Sequence, residues 1–248
     1  MKHFLKATLL GTFLMAGVFS QLSHAATIQV LPSHDNTIFS EDDNSNALGA
    51  LYVGVTPNST IRRALVQFNV GNFIPAGATI TGASLTFTQT KIGPAAGSGP
   101  TAFELDRVSQ AWGEGTSSGA GGGNLPTPND ATWNYSKYAT NPWTVAGGDF
   151  AGASATTTIG TTNGAYTFGS TPGLVADVQN WLDLPSTNFG WIFKSASETP
   201  TDARQFGSRE TANPETLTVT YSIPEPATGL LFGVGAIIAV SRRSRRKV

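Results

Sequence analysis

Ala83-Ser84-Leu85-Thr86-Phe87-Thr88 shows the clearest periodicity in this chain of 248 residues, because its apolar side chains alternate with Ser or Thr. The stretch Leu217-Thr218-Val219-Thr220-Tyr221 has the same alternation. Successive side chains of a β-strand point to opposite faces of the sheet. Each stretch therefore predicts a strand with one face buried and the other face in water.

Similar segments follow one another along the chain, and residues typical of turns separate them. The composition includes 28 Gly and 14 Pro. Short strands joined by such turns favour an all-β fold, an antiparallel β-sandwich of jelly-roll-like form, over alternating strands and helices. The predicted strands are Thr27–Leu31, Ala50–Val55, Ile61–Val70, Thr79–Thr90, Thr101–Val108, Thr156–Phe168, Phe189–Lys194 and Glu215–Tyr221.

One segment has helical spacing instead. Leu174, Val178 and Trp181 recur every three or four residues, with Thr171 placed to cap the helix and Pro172 suited to its first turn. We expect one short helix that covers an end or edge of the sandwich.

The first 25 residues have the order of a secretory signal peptide. Lys2 and Lys6 precede an apolar stretch over residues 7–19, and Ser23-His24-Ala25 supplies the small residues that a signal peptidase requires. We predict cleavage after Ala25 and export of the rest of the chain.

The last residues form a second signal. Pro224-Glu225-Pro226 is followed by fourteen apolar residues, 227–240, and then by five basic residues. The apolar run is shorter than the roughly twenty residues that cross a bilayer as a helix, and the basic cluster favours the cytoplasmic side. The short run therefore predicts an anchor that holds the chain in the inner membrane only transiently. The alternative is an ordinary single-pass anchor, which would be retained.

This tail resembles the PEP-CTERM sorting signal, with Pro224, Glu225 and Pro226 as its motif. The resemblance implies recognition and cleavage by an exosortase. It also implies a protein of the cell surface or extracellular matrix of a Gram-negative bacterium. The predicted organisation is a signal peptide over 1–25, a β-sandwich domain over 26–222 and a sorting or anchor segment over 223–248, with a helix in each terminal segment.

The domain between the two signals is acidic and contains no cysteine. Residues 26–222 carry eight Lys and Arg against fifteen Asp and Glu, a net charge of −7. This balance argues against nucleic acid as a partner, because binding to phosphates requires clustered basic residues. Without cysteine the exported domain has no disulfides and must be stabilised by its core.

Several motifs are spread over the domain: Asp35-Asn36-Thr37, Arg62–Phe68, Ala111–Thr116, Thr132-Trp133-Asn134, Asn188–Trp191 and Phe206–Glu210. They resemble those of the DNRLRE domain, which is related to the CBM96 carbohydrate-binding modules. The resemblance implies a β-sandwich that binds polysaccharide or holds surface assemblies together, without a catalytic centre. A Gly-rich insertion, Ser117–Asn124, departs from the family pattern.

An oxygen-rich loop is a candidate calcium site, because calcium prefers carboxylate and amide oxygens. The candidate ligands are Asp42, Asp43 and Asn44, with Asp35 as a further one. The alternative is an acidic loop that is merely solvated. Zinc is excluded as a tetrahedral N/S site, since His34 is the only histidine after the signal peptide and cysteine is absent.

Candidate glycan-binding residues are of two kinds. Flat aromatic rings can stack on sugars, although large rings also anchor long loops to a core. Guanidinium groups can grip carboxylates or hydroxyls, although arginines in strands are more often paired with acids. The candidates are Trp112, Trp133, Tyr135, Trp143, Arg62 and Arg209.

The function that we predict is non-catalytic binding or organisation of extracellular polysaccharide. No pair of carboxylates has a spacing that indicates glycoside hydrolysis, and His34 has no nucleophile motif near it. A purely structural surface protein without a glycan site is the first alternative, and a polysaccharide-degrading enzyme is the second.

Overall fold

A computed structural model describes residues 24–93 and 99–223 of the chain. Most of the predicted signal peptide, and the sorting motif Pro224, Glu225 and Pro226 with the apolar run after it, lie outside the described residues. The strands within them are β1 His24–Val30, β2 His34–Phe39, β3 Leu51–Val55, β4 Ile61–Gln67, β5 Thr79–Ile92, β6 Thr101–Val108, β7 Tyr135–Lys137, β8 Asn141–Pro142, β9 Phe150–Ile159, β10 Gly164–Phe168, β11 Trp191–Ser195, β12 Arg204–Phe206 and β13 Thr216–Ile223. The α-helix is α1, Pro172–Asp183, and short 3₁₀ turns cover Val70–Asn72 and Pro185–Thr187.

The long strands form two antiparallel layers. In the first, β5 lies between β10 on one side and β12 and β13 on the other, and β1 flanks β13. In the second, the order is β2, β4, β11, β6 and β9. The predicted all-β sandwich is confirmed.

Strand β3 joins the two layers at a corner. Its first residues pair with β12 and its last two pair with β4. Gly54 lies at the change of partner with φ 109°, and a Cβ there would approach Asp202 Oδ1 to 2.7 Å. Only glycine fits, because the left-handed backbone and the close approach both exclude a side chain.

Phenylalanine side chains fill the space between the layers. Phe193 of β11 stacks on Phe87 of β5 with ring centroids 4.4 Å apart, and all five rings of the cluster are fully buried. Phe103, Phe168 and Phe206 surround Phe193 at 4.9–5.7 Å. The cluster therefore draws on both layers and joins them.

Helix α1 forms where the sequence predicts it. Thr171 Oγ1 accepts a hydrogen bond from Leu174 N at 3.1 Å, which caps the first turn. The apolar face packs on the sandwich, and Trp181 contacts Trp191 with centroids 4.4 Å apart. Asp177 fixes the helix further, because its Oδ2 accepts the indole N–H of Trp191 at 2.8 Å.

The strands differ from the prediction in several places, and the short strands β7 and β8 have no predicted counterpart. The single strand expected over 156–168 is two strands, β9 and β10, separated by a turn at residues 160–163. Strand β2 was not expected, because its buried residues Asp35, Asn36 and Thr37 are polar. Strand β12 has only three residues and is too short to show a period.

In the described ranges, no helix is both long enough and apolar enough to cross a bilayer.

The phenylalanine cluster predicts where the fold is most sensitive. Phe193→Ala should lower the free energy of unfolding by about 3–5 kcal/mol, because it removes a ring that the other four rings cannot replace. Phe73→Ala is the control, since Phe73 is 56% exposed and should change stability by less than about 0.5 kcal/mol. Urea unfolding followed by tryptophan fluorescence measures the change in unfolding free energy for both variants. Equal effects of the two substitutions would contradict a central role for Phe193.

Candidate functional site

An acidic centre lies where the start of β2 meets two loops. Asp35 is fully buried, and its register partner on β4 is Val66. The backbone N–H of Asp35 donates to Glu114 Oε1 at 2.8 Å. Asp35 Oδ2 accepts from the backbone N–H of Arg209 at 2.7 Å, while Asp35 Oδ1 has no donor among the described residues. Asp35 thus connects the two loops and keeps one oxygen without a partner.

Two glycines set the position of Glu114. A Cβ at Gly113 would lie 2.1 Å from Asn129 O, and a Cβ at Gly115 would lie 1.8 Å from Asp130 Oδ1. The loop can therefore fold against residues 129–130 only without these side chains, and Gly115 also has φ 70°. This close packing holds the Glu114 carboxylate next to Asp35.

Arg209 binds two further carboxylate oxygens of the centre. Its Nη2 lies 2.9 Å from Glu114 Oε2 and 2.7 Å from Glu210 Oε1. One guanidinium thus aligns Glu114 through a charge-assisted hydrogen bond and Glu210 through an ion pair. Carboxylate oxygens of Asp35, Glu114 and Glu210 all lie within 4.8 Å of one another.

Glu215 makes the centre electrostatically unusual. It is fully buried, and neither of its carboxylate oxygens has a donor among the described residues. Burial raises the pKa of Glu215, and the charge of Asp35 raises it further. Burial likewise raises the pKa of Asp35 to about 8, with Glu210 and Glu114 adding to the shift. Two adjacent carboxylates cannot hydrogen-bond to each other, so this pair requires a proton or a cation between them.

The centre has the chemistry of a site for a hard cation. The Arg209 guanidinium pairs with Glu114 and Glu210, whereas the buried Asp35 and Glu215 have no ion pair among the described residues. Among the same residues, Asp35 Oδ1 and both carboxylate oxygens of Glu215 lack hydrogen-bond donors. Such oxygen-only surroundings can bind a metal ion.

The structure separates the sequence-predicted calcium ligands. Asp35 belongs to the acidic centre, but Asp42, Asp43 and Asn44 do not. Asp43 Oδ1 accepts from Asn134 N at 3.0 Å, and Asn44 Nδ2 donates to Gly122 O at 2.9 Å. These two side chains fasten loops to one another, and Asp42 points to solvent. The structure thus places Asp35 apart from the three loop residues, in a centre built from distant parts of the chain.

A polar groove of about 400 Å³ borders the acidic centre. Glu114 belongs to both features. Trp112 lines the groove with a half-buried ring, and its Nε1 donates to Phe189 O at 2.8 Å, which fixes the ring. The remaining side chains around the groove are polar or small: His34, Gln67, Thr116, Pro128, Asn129 and Lys137.

The other predicted aromatic residues are placed differently. Trp143 is 5% exposed, and its Nε1 donates to Thr132 O at 2.9 Å, so its ring anchors the loop to the core. Trp133 is half-buried beneath Arg63, whose guanidinium carbon lies 4.7 Å from the ring centroid. Tyr135 is half-buried and meets Tyr138 edge to face at 5.8 Å. Among the four aromatic candidates, Trp112 is the one that lines the groove.

The two predicted arginines lie in different places. Arg209 is part of the acidic centre. Arg62 lies on β4, where its Nη2 binds Glu41 Oε1 at 2.9 Å, and it lines a separate pocket of about 230 Å³. Both arginines are therefore paired with acidic side chains, which is the alternative to glycan binding for arginines in strands.

A family model described as the PEP-CTERM protein-sorting motif matches residues 222–247. The chain carries a PEP-CTERM sorting signal. This finding indicates an exported protein that is processed at the membrane by an exosortase, in agreement with the resemblance of the tail. No curated protein matches the chain.

The predicted site residues do not include Glu114, Glu210, Glu215 or Asn36. The side chain of Asn36 uses both its amide and its carbonyl, donating to Glu114 O at 3.1 Å and accepting from Ser45 Oγ at 2.9 Å. A signal existed for Asn36, since it follows Asp35 in the motif Asp35-Asn36-Thr37. The sequence carries no such signal for Glu215, because a single acidic residue before an alternating strand is typical of a strand end exposed to solvent.

A second charged cluster, on β6 and β11, makes stability depend on pH. Burial raises the pKa of Asp106 from the ordinary 3.8 to about 6, and Glu104 adds to the shift while Lys194 and Arg63 oppose it. Glu198 also faces this group. The folded state thus binds the Asp106 proton more tightly than the unfolded state. The resulting stabilisation is complete below about pH 4 and is lost as pH rises through about 6.

Asp106→Asn should remove this dependence. Between pH 4 and pH 7 the unmodified protein should lose about 2 kcal/mol of unfolding free energy relative to the variant. Urea unfolding at several pH values measures the difference. Asp183→Asn serves as the control. Because Asp183 is exposed, the unfolding free energy of this variant should depend on pH as that of the unmodified protein does. Parallel curves for Asp106→Asn and the unmodified protein would refute the assignment.

Proposed function

We propose that this exported protein binds polysaccharide at the cell surface or in the extracellular matrix of a Gram-negative bacterium, through a DNRLRE-type, CBM96-related sandwich. The observation that carries the proposal is the groove in which the fixed ring of Trp112 lies beside polar side chains and beside Glu114 of the acidic centre. The sorting signal supports the compartment, since it indicates export and processing at the membrane.

The groove has the two kinds of surface that a sugar requires. A pyranose ring has apolar C–H faces, which pack on aromatic rings, and hydroxyl groups, which need donors and acceptors. Trp112 supplies the ring, while Gln67, Asn129 and Lys137 supply polar atoms. The indole is already held by Phe189 O, so little conformational freedom is lost when a sugar binds.

Calcium is the ion proposed for the acidic centre. The carboxylates of Asp35, Glu114 and Glu210 lie close enough to hold one ion and offer only oxygens, which suits a hard cation and not zinc. An ion there would neutralise negative charge and occupy the Asp35 oxygen that lacks a donor among the described residues. Because Glu114 is shared, the ion would also stiffen one wall of the groove.

A non-catalytic role is part of the proposal. Glycoside hydrolysis needs one carboxylic acid that donates a proton and one free carboxylate. Glu114 and Glu210 are the carboxylates nearest this region, but each is held in an ion pair with the same guanidinium of Arg209. This pairing supports binding over cleavage.

Calcium should raise the thermal stability of the protein. Relative to excess chelator, calcium at one hundred times its dissociation constant should add about 2.7 kcal/mol to the unfolding free energy. Asp35→Asn should abolish this response, and in chelator it should be at least as stable as the unmodified protein, because it removes a buried carboxyl group whose ionisation is disfavoured by burial. Differential scanning calorimetry with calcium and with chelator measures both effects.

Two controls make the calcium experiment specific. Glu210→Gln tests a second member of the acidic centre. Asp42→Asn tests the acidic loop, and this variant should keep the full stabilisation by calcium. A melting temperature that is the same with calcium and chelator would exclude a calcium site. Loss of the response in Asp42→Asn alone would instead place the ion in the loop.

Polysaccharide binding should depend on Trp112. Trp112→Ala should weaken binding roughly tenfold, because the stacking surface is removed. Phe73→Ala, which removes an exposed ring outside the groove, should bind as the unmodified protein does. Affinity electrophoresis in gels containing neutral or acidic polysaccharides measures the retardation. A lack of retardation of the unmodified protein in every gel would favour a purely structural surface protein.

A further inference from the structure

The outer face of the first layer is made of small, uncharged side chains. Alternation along β5 and β13 turns every second residue away from the core, since Leu85, Phe87 and Val219 between them are fully buried. The outward side chains are half-buried or exposed, and most are threonines. This set, called the threonine face below, consists of Thr27 and Gln29 of β1, Ser84, Thr86 and Thr88 of β5, Ala165 and Thr167 of β10, and Thr216, Thr218, Thr220 and Ser222 of β13.

The side chains of the threonine face lie in rows across the strands. Thr86 of β5 is opposite Thr167 of β10 on one side and opposite Thr216 of β13 on the other. Ser84 and Thr218 are opposite each other in the next row. Alternate residues of a strand are about 6.5 Å apart and neighbouring strands about 4.8 Å apart. The rows therefore form a closely spaced surface of short side chains.

Several hydroxyl groups of the threonine face already have partners within it. Thr86 Oγ1 and Thr167 Oγ1 share a hydrogen bond of 2.8 Å, and Thr27 Oγ1 and Thr220 Oγ1 share one of 3.0 Å. A hydroxyl that keeps a hydrogen bond costs less to remove from water than one that loses its partner. The threonine methyl groups add apolar area. A second surface can therefore cover this face at a small desolvation cost.

The outer face of the second layer has a different character. It carries charged side chains such as Arg63 and Lys194, and the rings of Trp133 and Phe150 pack against them. The threonine face has no charged member, although residues 26–222 have a net charge of −7. Copies of an acidic domain repel each other where their charges meet. An uncharged face lets identical copies approach, whereas a different partner would be selected through complementary charge.

We propose that the threonine face is a self-association surface, on which a second copy of this chain packs face to face. Two sheets of the same twist stack about 10 Å apart with their strands crossing at about 30°, so one threonine face matches another in shape. A twofold axis through the face makes the contact self-complementary. The inference goes beyond the proposed function, because it needs neither polysaccharide nor calcium.

The size of the threonine face predicts a weak contact. Strands β1, β13, β5 and β10 at about 4.8 Å spacing, each contributing about 20 Å of length, give roughly 400 Å² on each copy. The two copies together fall below the roughly 1,200 Å² of a standard stable interface. Such a contact is transient in dilute solution. It becomes effective where many copies are held close together, since the effective concentration is then high.

Cross-linking through an introduced thiol measures a weak contact, and the chain has no cysteine of its own. Thr218 lies in the central rows of the face, on the strand between β1 and β5. With a bismaleimide that spans the roughly 10 Å between packed sheets, Thr218→Cys should form dimers at least tenfold faster than Thr158→Cys. Thr158 is the control, because it is an exposed threonine of β9 opposite Ala102, in the second layer.

A positive charge on the threonine face should prevent the contact. In the Thr218→Cys chain, Thr86→Lys should slow cross-linking at least tenfold, because a twofold contact brings two like charges together. Thr167→Lys, at an exposed position of the same face, should act in the same way. Thr158→Lys should leave the rate unchanged. Each substitution lowers the net negative charge by the same amount, so an effect of overall charge would be equal in all three.

The cross-linking is carried out in chelator and mild detergent, with the melting temperature of every variant measured. Chelator excludes bridging through calcium, and detergent excludes association through the apolar residues 227–240. Equal rates for Thr218→Cys and Thr158→Cys would overturn the inference. Cross-linking that neither Thr86→Lys nor Thr167→Lys slows in a folded chain would do the same.

Self-association and the proposed function fail separately. Thr86→Lys should still be retarded in polysaccharide gels, because Trp112 is not part of the threonine face. If no gel retards the unmodified protein but Thr218→Cys cross-links as expected, polysaccharide binding falls and self-association stands. If gels retard the unmodified protein but the thiols on the two layers react equally, the self-association surface falls and the proposed function stands.

Discussion

The contact between Phe193 and the four rings around it is the interaction on which the rest of the structure depends. These rings come from both layers, so they hold the sandwich together at its centre. The chain has no cysteine, and an exported domain without disulfides must obtain its stability from burial. Helix α1 adds to the same core through Trp181 and Trp191.

With the core supplied by the inner faces, the edges can carry polar residues that a core would not tolerate. Strand β2 is the main example, because Asp35, Asn36 and Thr37 are buried and yet hydrogen-bonded, the first two to loops and Thr37 to Tyr52 of β3. Asn36 leaves none of its amide atoms unused, which fixes the loops around it. The acidic centre is different, since buried oxygens of Asp35 and Glu215 lack donors among the described residues. Such incomplete pairing beside complete pairing is expected at functional sites.

Local patterns predict the regular part of the fold well. Strands β5, β6 and β13 and helix α1 follow from alternation, helical spacing and a capping threonine. Strand β2 cannot be predicted from such patterns, because its buried residues are polar, contrary to the rule that polar residues face water. The same limit applies to the aromatic candidates. Trp112 and Trp143 look alike in sequence, yet one ring lines a groove and the other lies in the core.

Export and sorting, the β-rich fold and the acidic charge are properties of local sequence and composition, so the chain specifies them without reference to long-range contacts. The sites depend on such contacts. Asp35, Glu114 and Glu210 are distant in the chain, and they meet only because β2 pairs with β4 while two loops close over its end. The Gly-rich insertion likewise becomes one wall of the pocket beside Arg62 only through its bonds to Ser45 and Asn46. Periodicity describes neighbours along the chain, whereas packing brings together residues that periodicity cannot relate.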